Sequence, residues 1–157
     1  MFSAIRHGGS KECARAAAQR FGIDCVLLTC FDARFQFWAP FFRPSGIRIH
    51  WAQTIHEADF LLTVTEATVL LTDVLFLDGL WNDALTMAGR CHPSVVTVIL
   101  AEEVDRPFVA DAFAAGAFGV LWNPVELAGL RRTIQFADEA SRDRAAYRVM
   151  LQPIAAG

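Results

Sequence analysis

The stretch that decides the fold is Val69-Leu70-Leu71-Thr72-Asp73, a short and mostly apolar run that ends in a carboxylate. Other short apolar runs precede and follow it along the chain. Runs that are apolar on both faces are typical of strands in a parallel sheet that helices cover on each side. We therefore predict five strands, at 25–29, 47–51, 69–72, 95–100 and 119–122, with the alternating second run nearer a sheet edge.

Helix signals separate these runs. Thr54 and Glu57 form a capping box ahead of a predicted helix, and Gly116 is suited to end another. Pro124 is placed where a first helical turn would begin, whereas Pro40 is expected to kink or shorten the helix that contains it. The predicted helices cover 10–21 (capped by Ser10), 32–42, 55–65, 106–115 and 124–148.

Strands that alternate with helices predict an α/β domain of three layers with right-handed crossovers. Ligands of such sheets gather beyond the carboxyl ends of the strands. We divide the chain into an N-terminal extension with a short helix (1–21), one domain (22–140), and a continuation of the last helix with a tail (141–157). The strand ends to search for function are 29–32, Asp73, 101–103 and 123–124.

The composition narrows the class of protein. The chain has 157 residues, 54% of them hydrophobic and 20% charged, which supplies a core for one domain. Its net charge of −3 gives no general attraction to nucleic acid or to an anionic membrane. No apolar run approaches the roughly 18 residues of a membrane span. We expect a cytoplasmic protein.

Two segments carry a resemblance to a known family. They are Val69-Leu70-Leu71-Thr72-Asp73-Val74 and Ala114-Ala115-Gly116-Ala117-Phe118-Gly119-Val120-Leu121-Trp122-Asn123-Pro124. In order and spacing, the region 22–140 resembles the receiver domain of bacterial response regulators in two-component signalling. The resemblance implies a flavodoxin-like strand order of 2-1-3-4-5 and a role in phosphorelay rather than an enzymatic activity.

The resemblance also implies a chemistry for Asp73, which matches the phosphoacceptor. An aspartyl phosphate forms when the carboxylate attacks a phosphoryl group. Because both partners are anionic, Mg²⁺ bridges them, held partly by an acidic pair after the first strand. A lysine and a hydroxyl hold the phosphoryl oxygens.

This sequence departs from that pattern at most positions. The acidic pair falls on Thr29-Cys30 or Cys30-Phe31, with Asp32 just beyond. The remaining family positions also carry residues of other chemistry: Ala101 for the hydroxyl, Asn123 before Pro124 for the lysine, Val120 for the switch aromatic and Leu77 for a proline. A lone carboxylate binds Mg²⁺ poorly, so we predict a degenerate receiver with no metal. If a metal binds, its candidate ligands are Asp32, Asp73 and Glu103.

Three functions remain open from the sequence. The first is a receiver that binds a protein partner, such as a sensor kinase or another regulator, without phosphorylation. The second is a receiver still phosphorylated at Asp73, with metal support from Asp32 or Glu103. The third is a flavodoxin-like protein that binds a small ligand beside Cys30, Ala101 and Asn123.

Other features favour packing or assembly. Phe31, Phe35, Trp38 and Phe42 follow helical spacing and are expected in the core, while Phe37 and Phe41 would mark a partner surface if exposed. The last helix adds Tyr147, Val149, Met150 and Leu151. Receivers commonly pair through their fourth helix, fifth strand and fifth helix, so the resemblance implies a homodimer through this face. Cys30 and Cys91 are predicted at opposite ends of the sheet, as buried or half-buried structural thiols rather than as ligands of one metal.

Overall fold

A parallel sheet of five strands forms the centre of the molecule. The computed structural model describes residues 22–103 and 105–151. The strand order is β2-β1-β3-β4-β5, which confirms the predicted flavodoxin-like order. The strands are β1 (Ile23–Leu28), β2 (Ile47–Ala52), β3 (Val69–Asp73), β4 (Val96–Ala101) and β5 (Gly119–Trp122), each within two residues of its predicted bounds.

Within the described residues, four helices connect successive strands, and a fifth follows β5. They are α1 (Asp32–Phe42), α2 (Ile55–Thr65), α3 (Trp81–Cys91), α4 (Arg106–Ala114) and α5 (Leu127–Leu151). A 3₁₀ turn, Arg43–Ser45, follows α1, and a two-stranded hairpin, Leu75–Phe76 with Gly79–Leu80, follows β3.

The helices form two layers around the sheet because successive strand residues face opposite sides. On one side, Cys25 and Leu27 of β1 pack in a cluster with residues of α1 and α5. On the other, Val26 and Leu28 pack against α2 and α3, and Val120 belongs to a cluster with α4. Both faces of the central strands are therefore buried, as their apolar sequences predict.

The helix ends confirm two signals and correct a third. The Thr54 hydroxyl accepts a hydrogen bond from the Glu57 backbone N–H at 3.1 Å, and Gly116 adopts a positive φ of 102° after α4. The prediction that Pro124 opens the last helix is wrong. The Leu130 N–H bonds the Glu126 carbonyl, so the regular helix begins at Leu127, and Pro124 lies in the preceding loop with a cis peptide bond.

Helices α3 and α1 differ from the sequence-based prediction. No helix was predicted for the α3 segment, and α1 continues through Pro40 to Phe42. The helix predicted over 10–21 and the tail after 151 lie outside the described residues. Among the helices that the structure describes, none combines the length and apolarity needed to cross a membrane.

Candidate functional site

Asp73 is the last residue of β3, the central strand of the sheet. The residue is only 6% exposed, although a carboxylate is among the groups most costly to bury. Its two oxygens are bonded to side chains from the β1–α1 segment rather than to the loop that follows β3. The site is therefore built between the ends of two neighbouring strands.

Thr29 supplies the first partner of Asp73. Its hydroxyl donates to Oδ2 of Asp73 at 2.5 Å and accepts a hydrogen bond from the Phe31 N–H at 3.1 Å. The Thr29 carbonyl accepts a further bond from the indole N–H of Trp51 at 2.9 Å. Thr29 is fully buried, so these bonds fix a hydroxyl donor at one of the positions that the resemblance offers for the acidic pair.

Arg34 supplies the second partner, which the sequence analysis did not identify. Its Nη1 donates to Oδ1 of Asp73 in an ion pair, and the arginine side chain is only 15% exposed. The guanidinium carbon also lies 5.8 Å from the ring centre of Phe31 and 5.2 Å from that of Trp38. These contacts orient the cation toward Asp73 and shield it from water.

Opposing effects act on the pKa of Asp73, and their net result is an increase. Burial raises it most, because a carboxylate loses hydration at this position. The hydrogen bond from Thr29 and the charge of Arg34 lower it, and the negative charge of Glu102 raises it again. The contacts from Thr29 and Arg34 therefore offset only part of the cost of burying the Asp73 charge.

The other predicted site residues do not join Asp73 in one cluster. Cys30, Phe31 and Asp32 are exposed, and Asp32 is the first residue of α1. The prediction of a buried or half-buried thiol is wrong for Cys30 and for Cys91, because both side chains are exposed. The Asn123 amide donates to Glu102 at 2.9 Å and has no described hydrogen bond to Asp73. Ala101 and Val120 are buried as parts of the α4 cluster, while Pro124 and Glu103 are exposed.

Metal-ligand geometry is not found in the part of the chain that the structure describes. No three His, Cys, Asp or Glu side chains within residues 22–103 and 105–151 come together as a metal would require. The donors around Asp73 are a hydroxyl and a guanidinium, and a guanidinium is a cation that cannot ligate Mg²⁺. These residues do not fit the magnesium ion that the receiver pattern implies.

The aromatic stretch before β2 divides between core and surface. Trp38 and Phe42 are buried, and Phe35 stacks on Trp51 with ring centres 5.8 Å apart. The prediction of a core position is wrong for Phe31, which is 56% exposed. It precedes the first residue of α1, and its ring contacts the Arg34 guanidinium rather than the core. The helix surface also exposes Phe37 and Phe41.

Comparison with known proteins identifies the architecture. No protein-family model matches the sequence, and no curated protein does. Solved receiver domains do match the structure. A response regulator receiver domain protein from Clostridium thermocellum superposes with a TM-score of 0.69 at 20% identity, over 76% of this chain and 97% of that one. The chain has the receiver fold.

Two further receivers agree. The CheY-like response regulator receiver domain protein from Methanospirillum hungatei JF-1 matches with a TM-score of 0.69 at 15% identity, covering 78% of this chain and 98% of its own. The signal receiver domain of an HD domain-containing protein from Pseudomonas fluorescens Pf-5 gives 0.69 at 18% identity, covering 77% and 98%. At these identities the likeness concerns the receiver fold alone.

Proposed function

We propose that this chain is a receiver-like signalling domain that acts through protein contacts, without aspartyl phosphorylation and without enzymatic activity. The observation that carries the proposal is the engagement of both Asp73 oxygens by groups of the chain itself, Thr29 and Arg34. A phosphoryl donor or a divalent ion would have to compete with these contacts at Asp73, which is only 6% exposed.

The remaining surroundings of Asp73 support the same function. Phosphoryl transfer needs cations or donors where negative charge develops, and Ala101 and Asn123 supply neither a hydroxyl nor an ammonium group. Asp32 and Glu103, the alternative metal ligands, are both exposed and have no described contact with Asp73. Phosphorylation with their support is therefore the less favoured function.

The small-ligand function has less support from the described surface. Two grooves of the described surface lie beside β5 and α5, and neither is lined by Cys30, Ala101 or Asn123. The predicted neutral pocket at the strand ends is thus not among these cavities.

A protein partner and a second copy have surfaces available to them. The exposed Phe37 and Phe41 on α1 suit a protein partner such as a kinase or another regulator. A homodimer through α4, β5 and α5 would cover Phe113, Trp122 and Phe136, which are 51%, 58% and 36% exposed. We propose both surfaces as the means by which the domain acts.

The decisive experiment is treatment with acetyl phosphate and Mg²⁺ followed by intact-protein mass measurement. We expect no phosphoryl adduct on the wild type, and none on Arg34→Ala, because removing the arginine adds no magnesium ligand. Asp73→Asn serves as the matched control. A phosphoryl adduct on the wild type that Asp73→Asn abolishes would overturn the proposal in favour of phosphorylation at Asp73.

A further inference from the structure

The end of α5 has an apolar surface that its own domain does not cover. Every residue from 142 to 151 is exposed, including Tyr147 (62%) and Met150 (80%). We call this segment the α5 extension. Helical segments of this length depend on packing for most of their stability, and large apolar side chains in water contribute none.

The extension continues a regular stripe that begins within the domain. One side of α5 carries residues that are spaced alternately four and three positions apart, beginning at Gly129 and continuing to Met150. Alternating spacings of this kind are the pattern of a coiled-coil seam. We call it the α5 stripe, which comprises Gly129, Thr133, Phe136, Ala140, Asp143, Tyr147 and Met150.

The first part of the α5 stripe lines a groove against the edge strand β5. The groove has two adjoining parts of about 640 and 590 Å³, and both include Leu121, Thr133 and Phe136. One part is bounded by Trp122, Pro124 and Val125, the other by Phe113 and Phe118. Apolar side chains dominate both, so a helix with an apolar stripe suits the groove.

The charges beside the stripe identify a second copy of this chain as the occupant. Arg132 precedes Thr133 and Glu139 precedes Ala140, so both lie on the same side of the stripe and nearly equidistant from Phe136. In an antiparallel pair of α5 helices, residues on the same side meet. Arg132 of each copy would then lie opposite Glu139 of the other, giving two charge pairs related by a twofold axis.

The stripe itself also favours the antiparallel direction. A parallel pair would place Asp143 against its own counterpart, where two carboxylates repel. The antiparallel pair places Asp143 opposite Gly129, which has no side chain. Tyr147 is eleven residues after Phe136, about 16 Å along the helix, and Val125 is eleven residues before it. The α5 extension of one copy therefore reaches the Trp122–Val125 part of the other copy's groove.

We propose that two copies of the chain associate through antiparallel α5 stripes, with each α5 extension seated in the groove of the other copy. This inference rests on the proposed homodimer and specifies its geometry. In this dimer, the interface includes residues 142–151 as well as the α4, β5 and α5 face. These residues of one copy complete the groove of the other copy.

A charge exchange measured by sedimentation equilibrium tests the pairing. We expect Arg132→Glu and Glu139→Arg to weaken dimerisation about tenfold each, because each substitution creates two like-charge contacts per dimer. The double variant should recover affinity close to that of the wild type. Arg148→Glu, on the outer side of the extension, is the matched control and should leave the dissociation constant unchanged.

Cysteine cross-linking tests the direction, in a background with Cys13, Cys30 and Cys91 replaced by serine. A mixture of Thr133→Cys and Ala140→Cys chains should form a disulfide-linked dimer, because these positions face each other across the antiparallel pair. Tyr147→Cys alone should not cross-link, since its counterpart is about 33 Å away along the helices.

The outcomes separate this inference from the proposal that it specifies. A wild-type monomer at all concentrations overturns both the homodimer and its geometry. A dimer that ignores both charge substitutions, or that cross-links through Tyr147→Cys alone, keeps the homodimer and overturns the antiparallel arrangement. A monomer that dimerises only after deletion of residues 152–157 would show the groove to be filled by the chain's own tail, which also overturns the inference.

Discussion

Arg34 is the residue that distinguishes this site from a bare carboxylate. It neutralises part of a buried charge, and its planar group lies against Phe31 and Trp38. An arginine in the first turn of a helix is unfavourable for the helix dipole, so its placement there depends on the ion pair. The sequence alone does not reveal this pair, because Arg34 and Asp73 are 39 residues apart and meet only in the fold.

Replacing Arg34 by alanine should destabilise the fold by about 3 kcal/mol, because Asp73 remains buried without its cation. Urea unfolding followed by circular dichroism measures the loss. The double variant Arg34→Ala/Asp73→Asn should regain part of it, since no uncompensated charge is left. Equal stability of the single and double variants would contradict the role assigned to the ion pair.

The pH dependence of stability reports the raised pKa of Asp73. A carboxyl whose folded pKa lies above its unfolded value of 3.8 stabilises the protein most when protonated, and this contribution is lost as pH rises through the folded pKa. The free energy of unfolding of the wild type minus that of Asp73→Asn should therefore fall between about pH 3.8 and the folded pKa, then level off.

Asp24 provides a control in which stability should change with pH in the opposite direction. Its hydrogen bonds to Arg48, and secondarily to His50, lower its pKa despite partial burial. The stability that Asp24 contributes is present above its unfolded pKa and is lost as pH falls through the folded value. The free energy of unfolding of the wild type minus that of Asp24→Asn should therefore rise with pH over the acidic range. A parallel trend for the two variants would contradict the assignment.

At the scale of single elements, α2 depends on its capping residue. The Thr54 hydroxyl satisfies the Glu57 N–H, and the Glu57 carboxylate accepts from the Gln53 N–H at 3.0 Å. Thr54→Ala should cost about 1 kcal/mol of unfolding free energy. Thr63→Ala, on the exposed side of the same helix, should change stability little, because its hydroxyl bonds only the Asp59 carbonyl within the helix.

The last turn of α1 allows a test with two adjacent phenylalanines. Phe42 is fully buried, whereas Phe41 is 43% exposed and contacts it edge-on with ring centres 5.1 Å apart. Phe42→Ala should destabilise by about 3–5 kcal/mol through cavity formation, as large-to-small core substitutions do. Phe41→Ala should cost well under half of that in the same thermal or urea unfolding experiment.

The elements also show what local sequence predicts well. The strands were predictable because their apolar runs record burial on both faces, as in Val69–Asp73. Helix α3 was missed because its core residues, Ala84, Leu85 and Ala88, include two small side chains, and its first turn is capped without a Ser or Thr. There the Asp83 carboxylate accepts from the Leu80 N–H, a contact visible only in three dimensions.

For the molecule as a whole, the candidate site was predictable in location but not in composition. The carboxyl ends of parallel strands had to meet, which placed Thr29 near Asp73. The exposure of Asp32 and the approach of Arg34 depend on how α1 is oriented over the sheet. That orientation depends on how Trp38 and Phe42 pack against residues from distant parts of the chain, which local sequence patterns do not predict.

Magnesium should have no effect on the whole domain. A ligand stabilises a protein only by binding the folded state in preference to the unfolded one, and the Asp73 carboxylate is already bonded to Thr29 and Arg34, neither of which supplies a second carboxylate. Adding about 10 mM Mg²⁺ should leave the melting temperature unchanged, as should its removal by a chelator. A saturable increase that disappears in Asp73→Asn would reveal a metal site.

The pairing of Asp73 with an arginine of its own chain has a consequence for timing. An aspartyl phosphate is a transient modification, and the rate of its hydrolysis determines how long a signal persists. The Arg34 guanidinium, by contrast, is part of the polypeptide, so no enzyme adds or removes it. Under the proposed function, in which Asp73 is not phosphorylated, the duration of the signal would depend on how much of the protein the cell makes and how quickly it is degraded.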